Sequence, residues 1–246
     1  MSRHDFAAQR LFVEADLAEG EAVPCTPGQA NYLRNVLRLR AGGAVLVFNG
    51  RQGEWRAELA DAGRRGVALS IKAKVREQSG GPDVEYLFAP LKRARLDYMV
   101  EKATEMGAAR LRTVLTRRTV AERVNLERMR AHAIEAAEQC GILRLPEIAA
   151  PEKLERAIAR WDAARALVFC DEDGGERCPF TALARIKPGP VAVLIGPEGG
   201  FDDAERELLS TQPFVTRISL GPRILRADTA AVAALALVNA VLGDWR

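Results

Sequence analysis

The change of hydrophobic period at "EQSGGPDV", Glu77 to Val84, constrains this chain more than any other feature. Before it come the short β-type runs "AVLVFNG" (44–50), "EWRAELAD" (54–61) and "GVALSIKAKV" (66–75), with apolar residues at every second position in "EWRAEL" and "LSIKAKV". Side chains of a strand point alternately to opposite faces, so this period predicts half-buried strands. "FNGRQGEW" reads as the hairpin turn joining the first two, and "PGQANYLRNVLRL" as one short helix with Pro27 near its start. After it, strand-like runs ("VEYLFAPL", "ARLRTVLT", "RALVFCDE", "VAVLIG", "RISLG") alternate with helical ones. "KRARLDYMVEKATEMG" puts Leu96, Met99, Val100 and Ala103 at helical spacing, and "NLERMRAHAIEAAEQCG" carries Asn125 as cap and Gly141 as stop. An acidic helix is expected over 202–212. Such alternation predicts a parallel sheet covered by helices. The expected organisation is a small β-barrel-like domain over residues 1–76, a linker over 77–84 and an α/β domain over 85–246.

The last helix, from Thr229 to Leu242, is apolar on nearly every face, with Asn239 as its one interruption. A helix apolar all round is buried on all sides. Either it packs as a plain core helix against the sheet or it faces a second subunit; a dimer interface is the preferred expectation. No run reaches the roughly 18 apolar residues that a membrane span needs, and the start "MSRHDFAAQRLFVEAD" reads as no signal peptide. Both point to the cytoplasm. Cys25, Cys140, Cys170 and Cys178 form no C-x-x-C pair, and the histidines are His4 and His132. Free thiols and no metal site are expected. Residues 1–76 carry 12 Lys and Arg against 8 Asp and Glu, while the whole chain is only +3. Thirty of the 36 basic residues are arginine, which suits phosphate recognition or a GC-rich genome equally.

Ligands of open α/β sheets sit outside the carboxyl ends of the strands. Three such ends stand out: "VFCDE" (168–172), "LIGPEGG" (194–200) and "SLGPRILRADTA" (219–230). Two of them end in apolar-apolar-Gly-Pro, offering backbone groups without side chains in the way. "GPEGG" lacks the spacing of a dinucleotide-binding G-x-G-x-x-G, no lysine follows it as in a P-loop, and there is no G-x-S-x-G elbow.

"IGPEGGF" followed by "LGPRILRADTA" resembles the closing signature of the SPOUT methyltransferases, and more closely the ribosomal RNA small subunit methyltransferase E family. The likeness extends through "NVLRLRAGG", "EKATEMGA", "TRRTV" and "EAAEQC". It implies an N-terminal PUA-like barrel, a C-terminal domain with a trefoil knot, a homodimer, and methylation of N3 of one uridine in 16S ribosomal RNA from S-adenosylmethionine. Carried over by position, Gly196, Glu198, Gly200, Leu220, Gly221, Ile224, Leu225 and Arg226 would line the cofactor pocket. Glu198 either faces the positive sulfonium or simply complements the dipole of the helix after it. Arg226 would stabilise the developing uracil oxyanion, with Asp228 orienting it or taking the proton; the alternative is a structural ion pair at a helix start. The family usually has Glu where this chain has Asp228, which shortens the carboxylate's reach.

The RNA, free or in an assembled small subunit, is expected on the basic N-terminal domain. Arg10, Arg34 and Arg38 are the candidate phosphate contacts, with Leu33, Val36 and Leu37 on the core side of their helix. The second function class is a non-catalytic, dimeric RNA-binding module.

Overall fold

The computed structural model describes residues 8–61, 66–120, 123–172, 174 and 178–245, which leaves His4 outside them. Contacts group the chain into two compact units: residues up to Gly80 together with Ala137–Leu145, and Gly81–Ala136 together with Pro146 onward.

In the first unit, β1 (Arg10–Phe12), β2 (Ala22–Pro24), β3 (Ala44–Phe48), β4 (Glu54–Asp61) and β5 (Val67–Arg76) form one sheet in the order β1-β3-β4-β5-β2. The β3–β4 hairpin pairs Phe48 with Glu54. Gly53 in its turn has φ +83°, and a Cβ there would run into the carbonyl of Arg76. Val45, Val47, Ala57, Leu59, Leu69 and Ile71 of these strands point into the core. β1 and β2 were not expected, since three residues are too few to show a period.

The expected helix over 27–39 is two pieces. α1 (Pro27–Asn31) starts with a capping box between Thr26 and Gln29 and runs into a π-helical turn over Tyr32–Val36. The wider turn rotates the residues beyond it away from the 3.6 period. Leu33 is buried and Leu37 packs against the core, but Val36 is 61% exposed, contrary to its expected place inside. Arg38, at φ +55°, stops the helix, and the N–H of Leu39 returns to the carbonyl of Leu33 at 2.9 Å. Arg34 is exposed, with a long 3.5 Å contact to Asp61.

Arg10 is a correction. It is 5% exposed, and its Nε donates to Glu54 Oε1 at 2.9 Å. Arg76 completes the cluster by donating to Glu54 Oε2 at 2.8 Å. A charge is buried only where an opposite charge meets it, so Arg10 serves the interior of this unit and is no surface phosphate contact.

The second unit holds six strands, all parallel: β6 (Val84–Phe88), β7 (Arg110–Leu115), β8 (Glu147–Lys153), β9 (Ala166–Cys170), β10 (Val191–Ile195) and β11 (Val215–Ile218), in the order β11-β9-β10-β6-β7-β8. β6 and β10 are buried along their whole length, as central parallel strands are. The unexpected β8 contains Pro151, which only an edge strand tolerates, and it is the edge. The helices are α2 (Arg93–Glu105), α3 (Leu126–Cys140), α4 (Leu154–Ala159), α5 (Pro179–Leu183), α6 (Asp203–Ser210) and α7 (Ala227–Val241). The last residues of α3 group with the first unit. One uninterrupted helical period carries no mark of such a handover.

The terminal helix α7 is not buried on all sides. Ala227, Ala230, Ala231, Ala234, Leu235 and Val238 face inward, whereas Val232, Ala233, Ala236, Leu237 and Val241 are half-exposed. Its polar interruption is structural, for Asn239 Nδ2 donates to the carbonyl of Met106, just past the end of α2, at 2.7 Å.

Candidate active site

The carboxyl ends of β9, β10 and β11 lie side by side, because β9 pairs with both of the others. A cavity of about 340 Å³ opens there, within the roughly 300–1,000 Å³ usual for small-molecule sites. All eight residues expected around the cofactor line it: Gly196, Glu198, Gly200, Leu220, Gly221, Ile224, Leu225 and Arg226.

Each wall follows from local chemistry. After β10, the Gly200 N–H bonds the Pro197 carbonyl at 2.9 Å and closes a turn that needs φ +67° at Gly200. A Cβ on Gly200 would also press on the Glu172 carboxylate. Gly196 is glycine for another reason: a Cβ there would stand 2.9 Å from Cδ2 of Phe201. The Phe201 ring packs edge-on against Phe169, with centroids 5.0 Å apart. α6 then begins with a capping box in which Asp202 Oδ1 accepts from the Glu205 N–H at 2.8 Å and Glu205 Oε2 accepts from the Asp202 N–H at 3.1 Å. The opposite wall is the loop over 219–226, longer than expected because β11 ends at Ile218. Gly221 sits there at φ +103°, with open space where a Cβ would go.

The turn is braced by the segment after β7. Arg118 Nη1 donates to the Gly199 carbonyl at 2.9 Å, and the Arg117 N–H donates to Glu205 Oε1 at 2.8 Å. Glu198 is held by Arg95 at 2.9 Å. Sequence reasoning noticed "TRRTV" only as part of a likeness; its bracing role arises from a strand order that no local pattern reveals. It also missed Glu172, which lines the cavity and is held at 3.4 Å by Arg206; "VFCDE" was singled out as a strand end without naming the acid. Cys170 lines the floor, and desolvation pushes its thiol up to about 12. It is therefore a neutral wall and no nucleophile.

Arg226 and Asp228 are not brought together. Arg226 precedes α7, is exposed, and among the described residues has no acidic partner. Asp228 does not line the cavity; its Oδ1 accepts from the Thr229 N–H at 2.9 Å. Burial raises the Tyr86 phenol well above its usual range, and Cys170 and Asp228 add to the effect. The carboxylate therefore belongs to the first turn of α7, where it complements the helix dipole.

Residues 79–239 match the RNA methyltransferase domain family and residues 26–72 the RNA methyltransferase PUA domain family. The chain is 34% identical to the ribosomal RNA small subunit methyltransferase E of Synechocystis sp., over 96% of this chain and 78% of that one. It belongs to the ribosomal RNA small subunit methyltransferase E family. Another member, from Rickettsia conorii, is 28% identical over 94% of both chains. A solved Legionella pneumophila protein in complex with the cofactor SAM superposes with TM-score 0.84 at 27% identity, covering 96% of this chain and 99% of that one. The Neisseria gonorrhoeae member of the family, bound to S-adenosyl methionine, shares the fold with TM-score 0.85 at 22% identity, over 97% and 100% of the two chains. For this methyltransferase the N-terminal sheet is thus a PUA domain and the parallel sheet a SPOUT-type catalytic domain. Among the described residues, no helix is long and apolar enough to cross a membrane.

Proposed function

We propose that this methyltransferase binds S-adenosylmethionine in the cavity over β9, β10 and β11 and methylates N3 of a uridine in 16S ribosomal RNA. The observation that carries the reading is the convergence of two sequence-distant glycine turns, 196–200 and 219–226, on one cavity. The residues fit the cofactor. Exposed backbone amides and the apolar Leu220, Ile224 and Leu225 suit a flat base with polar edges, and Gly221 leaves its space open. The carboxylates of Glu172 and Glu198 face a ligand that carries positive charge. S-adenosylmethionine, when bound, supplies a methyl group on a positive sulfonium. The chain's own part is to hold the uracil in line and to offset charge. Arg226, exposed at the cavity and uncommitted to an acid among the described residues, is the group for the developing charge on a uracil oxygen. Asp228 Oδ1 is engaged with the Thr229 N–H and the residue does not line the cavity, so the reading gives the charge-offsetting role to Arg226 alone.

The half-exposed apolar face of α7, Val232, Ala233, Ala236, Leu237 and Val241, fits a second copy of the chain. The knotted path of the SPOUT class and a cytoplasmic place, where ribosomal RNA is made, belong to the same proposal. The exposed Arg34 and Arg38 are the RNA contacts proposed on the PUA domain. The test is mass spectrometry of ribosomal RNA nucleosides from a deletion strain with and without this chain restored. A methylated uridine that disappears and returns is the expected result. An unchanged nucleoside profile refutes the reading.

A further inference from the structure

The described acids that line the cavity or flank its turns are engaged. Glu198 pairs with Arg95 at 2.9 Å, Asp202 with Arg117 at 2.9 Å, Glu172 with Arg206 at 3.4 Å, and Asp171 with Arg217. Three guanidiniums are left over. Arg118 spends one N–H on the carbonyl of Gly199, which occupies a donor without neutralising the charge. Arg223 and Arg226 stand exposed on the 219–226 loop and line the cavity. Among the described residues none of the three closes a salt bridge; Arg118 lies near enough to Asp202 to help hold that carboxyl low, but the carboxylate itself is bonded by Arg117. Exposed arginines on a protein surface usually find an acid or water. Two on the 219–226 loop and one that reaches the 196–200 turn from the segment after β7 make the cavity mouth a seat for a polyanion.

We propose that Arg118 and Arg223 hold the sugar-phosphate backbone on either side of the target nucleotide while Arg226 faces the base, so that the catalytic domain carries its own RNA-docking strip apart from the PUA domain. The proposal rests on the methyltransfer reading. Arg118 has a double position: one end of its planar fork braces the cofactor turn, and the other donors are free for a phosphate oxygen. Docked RNA would thereby press on the turn that holds the methyl donor.

The test uses the full-length protein, purified 16S ribosomal RNA and, in parallel, purified small ribosomal subunits. The variants are Arg118→Gln, Arg223→Gln and Arg118→Lys. Gln keeps a donor for the Gly199 carbonyl and removes the charge; Lys keeps the charge and removes the fork. Each Gln variant should lower the slope of log affinity against log salt by roughly 0.7–0.9, as one phosphate contact does. Arg118→Lys should keep the slope. S-adenosylmethionine affinity by calorimetry should stay within about five-fold in Arg118→Gln and in Arg223→Gln, the scale of one hydrogen bond. Wild-type slopes in both Gln variants, on RNA and on subunits alike, overturn the proposal. So does a parallel loss of RNA and cofactor affinity, which assigns these residues to structure alone. Failure of the methyltransfer reading is seen separately, as a wild-type protein that does not bind S-adenosylmethionine.

Discussion

Gly196→Ala tests why a glycine follows β10. The added methyl would meet Cε2 of Phe201 most closely and stand 2.9 Å from Cδ2 and 3.0 Å from Cζ, where carbon atoms sit comfortably at about 3.5–4.0 Å. The ring must move by about 1 Å, and it has little room, because it is 4% exposed and wedged edge-on against Phe169. Overpacking of this kind costs about 1–3 kcal/mol, and each kcal/mol lowers Tm by about 2–4 °C in a chain of this size. Urea unfolding followed by circular dichroism measures the loss. The diagnostic step repeats it in a Phe201→Leu background, where the smaller side chain leaves space for the methyl. Gly196→Ala should then cost clearly less, with a coupling energy of at least about 0.5 kcal/mol. Costs that simply add in the double variant would refute the steric account and leave Gly196 as a residue needed only by the ligand.

Gly221→Val, at φ +103° with nothing packed against it, should cost no more than about 1–3 kcal/mol in stability while abolishing S-adenosylmethionine binding by calorimetry; normal cofactor binding would move the pocket. Arg10→Met leaves Glu54 buried with Arg76 as its remaining cation, so unfolding should show a loss of about 3 kcal/mol with no change in the salt dependence of RNA binding. Arg38→Gly relieves a left-handed backbone at φ +55°, which should add about 1 kcal/mol to stability while lowering the RNA salt slope; an unchanged slope removes Arg38 from the RNA surface. The Glu205 N–H and then the Arg117 guanidinium hold the Asp202 carboxyl below its usual value. A depressed carboxyl stabilises the folded state above its unfolded pKa of about 3.9 and ceases to do so as pH falls through the lower folded value. The stability gap between wild type and Asp202→Asn should therefore close as acid titrates below about pH 4, and a gap constant with pH would count against it.

The sequence by itself determined the features that short-range physics can encode. Period two marked β4 and β5, strand–helix alternation marked the parallel sheet, and the Asn125 cap lies where its side chain satisfies one of the first free N–H groups of α3. The two Gly-Pro turns were also legible, because turn chemistry is local, and the family likeness named the cofactor they would meet. Tertiary structure decided everything that depends on which distant residue arrives. Arg10 and Arg34 are alike in sequence, yet one is sealed against Glu54 and the other is in water. Val36 was displaced by a π-turn that no propensity announces. Asp228, two residues from Arg226, turned to the start of its own helix rather than to that arginine. The brace from Arg118 to Gly199 spans 81 positions of chain and exists only because the ordering of the parallel strands carries the loop after β7 to the turn after β10. Charge burial and long-range pairing are properties of the assembled sheet, and the one-dimensional pattern holds no term for either.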